Sequence, residues 1–276
     1  MRAALTLAPS IDNYIHTHSG NSQIEIIGKL AIAKTILDSE RRSWMAANPE
    51  NNNINLNELN RSWYGHFFKY LFLDVTKSSL EDLFDNIAII SFNYDRTVEH
   101  ALPHAISTYY DIPLSDAQQL SRKLYIFHPY GTVGDLPFRA ERNKHISDFG
   151  KIGGAEALLR CAHGIRTFTQ QIEDDESLQI LRSHIQDSNK IVFLGFAFHE
   201  LNLRLLKTAM KPKFRSILAT TRGISDDDKR AIRQQLVEVF GKAIQEEGSN
   251  SGDIRATFSD STCADFFLSH SRSLRQ

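Results

Sequence analysis

From Ile87 onward, short apolar runs alternate with helical periodicities, and this alternation limits the fold more than any other feature of the sequence. Ile87-Ala88-Ile89-Ile90 is a continuous apolar run of strand length, the mark of a strand covered on both faces. A helix is predicted from about Thr97, with Val98, Leu102, Ile106 and Tyr109 on one face and Pro103 placed to kink it. The runs KLYIFH (123–128), KIVFLGF (190–196), RSILATT (215–221) and DIRATFS (253–259) read as further strands. Helical patterns surround them, among them ESLQILRSHI, ELNLRLLKTAM and SDDDKRAIRQQLVEVF, the last opened by Ser225 as an N-terminal cap. Strands alternating with helices predict an open, mostly parallel α/β sheet.

The stretch before Ile87 is different. Apolar residues recur helically over 24–37 (Ile24, Ile27, Leu30, Ala31, Ala33, Ile36, Leu37), and the aromatic segment SWYGHFFKYLFL (62–73) reads as a buried helix. An Asn-rich polar loop, NPENNNINLN, separates them, and QEEGSNSGD (245–253) reads as a second loop rather than a domain linker. The expectation is one domain over 1–276, with 1–85 mainly helical and 86–276 forming the α/β core.

Composition narrows the function classes. Basic and acidic residues nearly cancel, 32 against 33, so the net charge of -1 gives no broad electrostatic footprint for nucleic acid or an anionic membrane. The two cysteines, Cys161 and Cys263, supply neither a four-cysteine zinc module nor a disulfide framework. The opening MRAALTLAPS is too short for a signal peptide or a membrane span. A cytoplasmic protein is expected, with no metal.

In a parallel sheet, ligands bind beyond the carboxyl ends of the strands. Three predicted strands end in residues suited to such a crevice: Asn93 and Asp95 after the first, His128 with Gly131 and Thr132 after the second, Gly195 with Glu200 and Asn202 after the third. Each has a plainer reading. Asn93 or Asp95 caps the next helix, His128 is a satisfied histidine at a strand end, and Gly195 serves a tight turn. Other motifs fail on their own terms. Gly28-Lys29 lacks the spacing of a phosphate loop, His16 and His18 lack partner ligands, and no G-x-S-x-G elbow occurs.

Three segments together resemble a family. SFNYDRTVE is similar to the T-x-N-x-D segment of sirtuin-like domains, FHPYGTV to their H-G-S/T segment, and IVFLGFAFHELNLRLL to the G-[YF]-S-[FL]-x-[DE]-x-N strand of the divergent bacterial branch. SIDNYI with GKLAIAKTILDSE resembles that branch's early helical segment. The resemblance implies a Rossmann-like sheet that uses NAD as substrate. Asn93 would hold a ribose hydroxyl or the attacking water and His128 would be the general base. Asp95, Gly131, Thr132, Gly195, Phe196, Glu200 and Asn202 would contact the cofactor. Nicotinamide leaves as a neutral base, so no general acid is required, and a positioned base contributes roughly 10²–10⁴ in rate.

The chain also departs from the pattern. The family's opening strand and G-A-G-x-S loop have no counterpart, and Ala197 stands where Ser is usual. The resemblance therefore implies a sheet without its usual first strand, whose apolar flanks are left exposed. A fragment, a misplaced start, a homo-oligomer or a partner chain supplying the strand would each account for that. The implied activity is NAD glycohydrolysis, as in bacterial antiviral defence effectors. The alternatives are a non-catalytic module that binds a nucleotide or mediates assembly, and an NAD-dependent protein deacylase, for which the chain lacks the zinc part.

Overall fold

The computed structural model describes residues 6–8, 10–48, 52–140, 145–167, 175–244 and 253–275. Most of the QEEGSNSGD loop and part of the Asn-rich loop lie outside these residues. The fold is α/β, with small parallel sheets flanked by helices, and the chain gathers into two compact units. One comprises residues 1–60 and 71–172, the other 61–70 and 173–276.

The first unit opens with helices α1 (Ile11–Thr17) and α2 (Ser22–Arg42). Ser10 and Asn21 cap them, each accepting a backbone N–H from the first turn. The short α3 (Leu56–Leu59) follows, then α4 (Trp63–Phe72), within which the division between the units falls. Strand β1 (Ala88–Ile90) leads into α5 (Thr97–Tyr110), and α6 (Leu114–Ser121) leads into β2 (Tyr125–Phe127). The two strands pair in parallel, Ala88 opposite Tyr125 and Ile90 opposite Phe127, and the Ser91 N–H extends the ladder to the Phe127 carbonyl at 2.9 Å. A long connection then reaches α7 (Ala155–His163). Ile32, Ala33 and Leu37 of α2 form an apolar core with Ile15, Val133, Cys161, Ala162 and Ile165.

Two expectations shift in this unit. In α5, Leu102 and Ile106 are fully buried, but Tyr109 is 64% exposed and Tyr110 takes the buried place. Pro103 lies within the helix, as the sequence places it. In α2, the buried stripe includes Lys29 and Glu40, while Ile27 faces outward. In α2 the buried face is set by polar groups as well as apolar ones: Lys29 pairs with Glu25 and Glu40 with Arg96.

The second unit holds α8 (Asp175–Asp187), β3 (Lys190–Phe193), α9 (Glu200–Leu205), β4 (Ser216–Thr220), α10 (Asp226–Phe240), β5 (Arg255–Ser259), α11 (Cys263–Ser269) and α12 (Ser271–Arg275). The three strands form a parallel sheet in the order β3-β4-β5. Ser225 caps α10 as expected, accepting from the Asp228 N–H. The aromatic residues of α4 pack here: Trp63 stacks on Phe267, and the Tyr70 hydroxyl donates to the Leu274 carbonyl at 2.9 Å.

The strands thus divide between two sheets. Central β4 has Ile217, Leu218 and Ala219 buried. In β1, paired only with β2, no residue is fully buried although all three are apolar. A strand that is apolar throughout is designed for cover on both faces, and β1 lacks that cover among the described residues. No helix among these residues is long and apolar enough to cross a membrane.

Candidate functional site

The carboxyl ends of β1 and β2 lie side by side because the pairing is parallel and in register. Residues 91–96 leave β1 and residues 128–131 leave β2 at the same edge of the pair. There the His128 imidazole is held from both sides. Nδ1 lies 2.8 Å from the Asn93 backbone carbonyl, and Nε2 lies 2.7 Å from Oε1 of Glu99 in the first turn of α5. Both side chains are largely buried.

The two partners of this ring are an oxygen that only accepts and a carboxylate, so a ring donating from both nitrogens satisfies the geometry best. Burial alone would lower the His128 pKa. The charge and hydrogen bond of Glu99, the Asn93 carbonyl and the charge of Asp95 outweigh it and hold the imidazole above its ordinary value. Burial alone would likewise raise Glu99, but the facing imidazolium, with Arg139 beyond, holds that carboxyl below its ordinary value. The geometry is that of an imidazolium facing a buried carboxylate.

The neighbouring residues are fixed just as firmly. Asp95 accepts from the Thr97 N–H at 3.1 Å and from the Thr97 hydroxyl, a turn that starts α5. The plainer reading of Asp95 is therefore realised, and one of its oxygens is committed to the helix start. Asn93 is exposed, and its side-chain amide makes no hydrogen bond among the described residues.

Behind the loop, Arg96 and Glu40, each with a side chain 2% exposed, form a bidentate pair at 2.6 and 3.1 Å. The guanidinium also donates to the carbonyls of Gly134, Ser147 and Asp148, and Glu40 accepts from the Gly150 N–H. This hub ties α2, the start of α5 and the 134–150 connection into one polar core. Beside it, the Tyr94 hydroxyl lies 2.9 Å from Oδ1 of Asp12 and 3.1 Å from the Arg166 carbonyl. Burial raises both groups, and burial with the Asp12 charge pushes Tyr130 up to about 12.

Gly131 and Thr132 follow His128 but have local duties. Gly131 has φ +74, and a Cβ there would stand 2.0 Å from the Gly164 carbonyl oxygen, across the bridge it makes with Ile165. The Thr132 hydroxyl is engaged with Gly134 in its own turn. Gly131 is required by packing, whatever else it does.

The third predicted strand end belongs to the second unit. A crevice of about 340 Å³ opens at the carboxyl ends of β3, β4 and β5, lined by residues 195–197, 220–222 and 261–263 with Ile224. Gly195 adopts φ +59 and its N–H donates to the Thr220 hydroxyl at 2.8 Å. Phe196 lines the same crevice. Thr221 is 1% exposed, and its hydroxyl has no hydrogen-bond partner among the described residues. Glu200 and Asn202 are not among the lining residues. Glu200 is exposed and pairs with Arg204 one turn along α9.

The structure therefore brings Asn93, Asp95 and His128 together and sets Gly195 and Phe196 in a separate crevice within the other unit. Sequence reasoning missed Glu99, Glu40 and the hydroxyls at 220, 221 and 262. Glu99 carried a signal: it falls in the first turn of a helix that starts at a strand end, where a side chain faces the neighbouring strand's loop. His18, weighed as a metal ligand, places Nδ1 2.8 Å from the Tyr14 carbonyl at the end of α1. No family model, curated protein or solved structure matches the chain.

Proposed function

We propose that this chain is a sirtuin-like NAD glycohydrolase, acting in the cytoplasm in the manner of effectors that deplete NAD during bacterial antiviral defence. The observation that carries the reading is the meeting of His128 with the Asn93 backbone at the carboxyl edge of a parallel pair. On this reading the unbonded Asn93 amide and the His128 imidazole serve the same substrate. Asn93 orients a ribose hydroxyl or water without adding charge. His128 takes the proton as water attacks the anomeric carbon and the glycosidic electron pair leaves with nicotinamide.

Purified protein incubated with NAD is expected to release free nicotinamide. Asn93→Ala and His128→Ala are each expected to cut the rate by about 10²-fold or more. Unchanged rates in both variants would remove the site assignment.

A second reading has an observation of its own. Both nitrogens of His128 are taken by protein acceptors, and Ala197 withholds a hydroxyl from the crevice. Both facts suit a module that binds a nucleotide without turning it over. Saturable NAD binding with no nicotinamide release selects this reading.

A further inference from the structure

We infer that Glu99 is a positioning residue that reserves Nε2 of His128 as a permanent donor and makes Nδ1, on the Asn93 side, the nitrogen that carries the working proton. The inference rests on the NAD-cleaving reading above and adds a residue and a direction to it.

The geometry gives the two nitrogens unequal surroundings. Nε2 meets a carboxylate inside the unit, on the first turn of α5, and both side chains of that contact are largely buried. Nδ1 meets a backbone carbonyl in the loop that carries exposed Asn93. A carboxylate at 2.7 Å holds a proton on Nε2 far more firmly than a peptide carbonyl holds one on Nδ1. The first proton to leave the imidazolium is therefore the one on Nδ1. Its loss leaves a lone pair facing the Asn93 carbonyl; once that carbonyl turns aside, the lone pair is open to the water or hydroxyl that the Asn93 amide would hold. In the reaction, that lone pair accepts the proton from water as the oxygen–carbon bond forms. The carbon–nitrogen bond breaks, and its electron pair neutralises the pyridinium. Glu99 stays ionised throughout and stabilises the imidazolium that results.

The same arrangement makes the resting ring a latch. While Nδ1 is protonated it donates to the Asn93 carbonyl, so base and latch are alternative states of one ring. The charged groups that act on the ring are Glu99 and Asp95, with Arg139 facing Glu99 from the segment after β2. Because the acidic partners hold the imidazolium above its ordinary value, the base form appears only as pH rises past that value. The acidic limb of the rate profile therefore lies above the ordinary histidine range. Replacing Glu99 with a neutral amide keeps a hydrogen bond and removes the charge, so the limb moves down.

The test combines the rate of nicotinamide release against pH with ¹⁵N titration of His128 in histidine-labelled full-length protein, for wild type, Glu99→Gln and Glu99→Leu. The expected result is a limb and a titration that fall by about one pH unit or more in both variants. At the plateau, kcat falls about tenfold or more while KM moves little. A role confined to holding the fold would leave the limb where it is. The inference is overturned if the variants retain the wild-type limb and titration, or if wild-type His128 titrates at or below 6.5, a measurement that needs no variant. Absence of nicotinamide release from wild type at every pH overturns the NAD-cleaving reading instead. The ¹⁵N data then judge the pair alone: a titration lowered by Glu99→Gln supports it, and an unmoved one removes it.

Discussion

The carboxyl ends of the two sheets differ in their polar groups: charged pairs fill the first, and hydroxyls around an open crevice the second. Beyond β1 and β2, nearly every polar side chain is committed to another: His128 to Glu99, Arg96 to Glu40, Asp95 to Thr97, Tyr94 to Asp12. Beyond β3, β4 and β5, Thr220, Ser261 and Thr262 are likewise engaged, with Gly195, Ser259 and Asp265, and the buried Thr221 hydroxyl alone among the crevice's hydroxyls meets no partner among the described residues. The first edge is pre-organised, because its charged groups are fixed in place by one another. The second differs in having an open crevice with one hydroxyl left unpartnered beside it.

The largest expected effect breaks the first edge at its hub. Arg96→Met leaves the Glu40 carboxylate buried without its cation and also strips donors from the Gly134, Ser147 and Asp148 carbonyls. Removing one partner of a buried pair costs about 3–5 kcal/mol, so denaturant unfolding should show a loss of that size. The double variant Arg96→Met with Glu40→Leu should recover part of it, since no orphaned charge remains. A loss below about 1 kcal/mol for Arg96→Met would mean that the hub is hydrated like a surface pair. The pre-organisation argued for this edge would then fail.

The strand positions and the helix that follows each were legible because apolar runs and helical periods are local properties. The ends of β1 and β2 could be placed at one edge from the alternation alone. What was not legible is long-range. Glu40 and Arg96 are 56 residues apart, and nothing near Glu40 distinguishes it from the exposed charges around it. Tyr109 and Tyr110 are adjacent, and only the partners on α5's buried side decide which one turns inward. The division into two sheets escaped for a similar reason. Strand pairing is a contact between segments, and an apolar run such as β1 states that it needs cover without stating whether the cover is present.

The comparison is sharpened next by one glycine from each edge. Both Gly131 and Gly195 have positive φ, so an alanine at either pays the left-handed penalty of about 1–2 kcal/mol. At Gly131 the new Cβ would also stand 2.0 Å from a backbone oxygen, which forces the chain apart. At Gly195 its nearest neighbour is the Cys263 sulfur at an ordinary 3.6 Å. Gly131→Ala should therefore lose roughly 2–4 kcal/mol and Gly195→Ala only about 1 kcal/mol, read as midpoints in parallel denaturation series. Equal losses would mean that the 131–165 bridge yields freely, and the first edge would be no more rigid than the second.

The smallest effect concerns Thr221, where stability and binding should part company. Its hydroxyl is buried without a partner, so Thr221→Val removes an unsatisfied polar atom at nearly constant shape. Such a change is neutral or stabilising, by up to about 1 kcal/mol. A hydroxyl kept buried and unpaired at the edge of a crevice has a reason to exist only if something else completes it. The variant should therefore bind NAD or ADP-ribose about tenfold more weakly by calorimetry while unfolding at the same or a higher denaturant concentration, one lost hydrogen bond being worth about 0.5–1.5 kcal/mol. Unaltered binding would show that the ligand does not reach this hydroxyl. A loss of stability would show that the hydroxyl is already paired in solution, and the contrast between a committed edge and an open one would narrow to the crevice's outer rim.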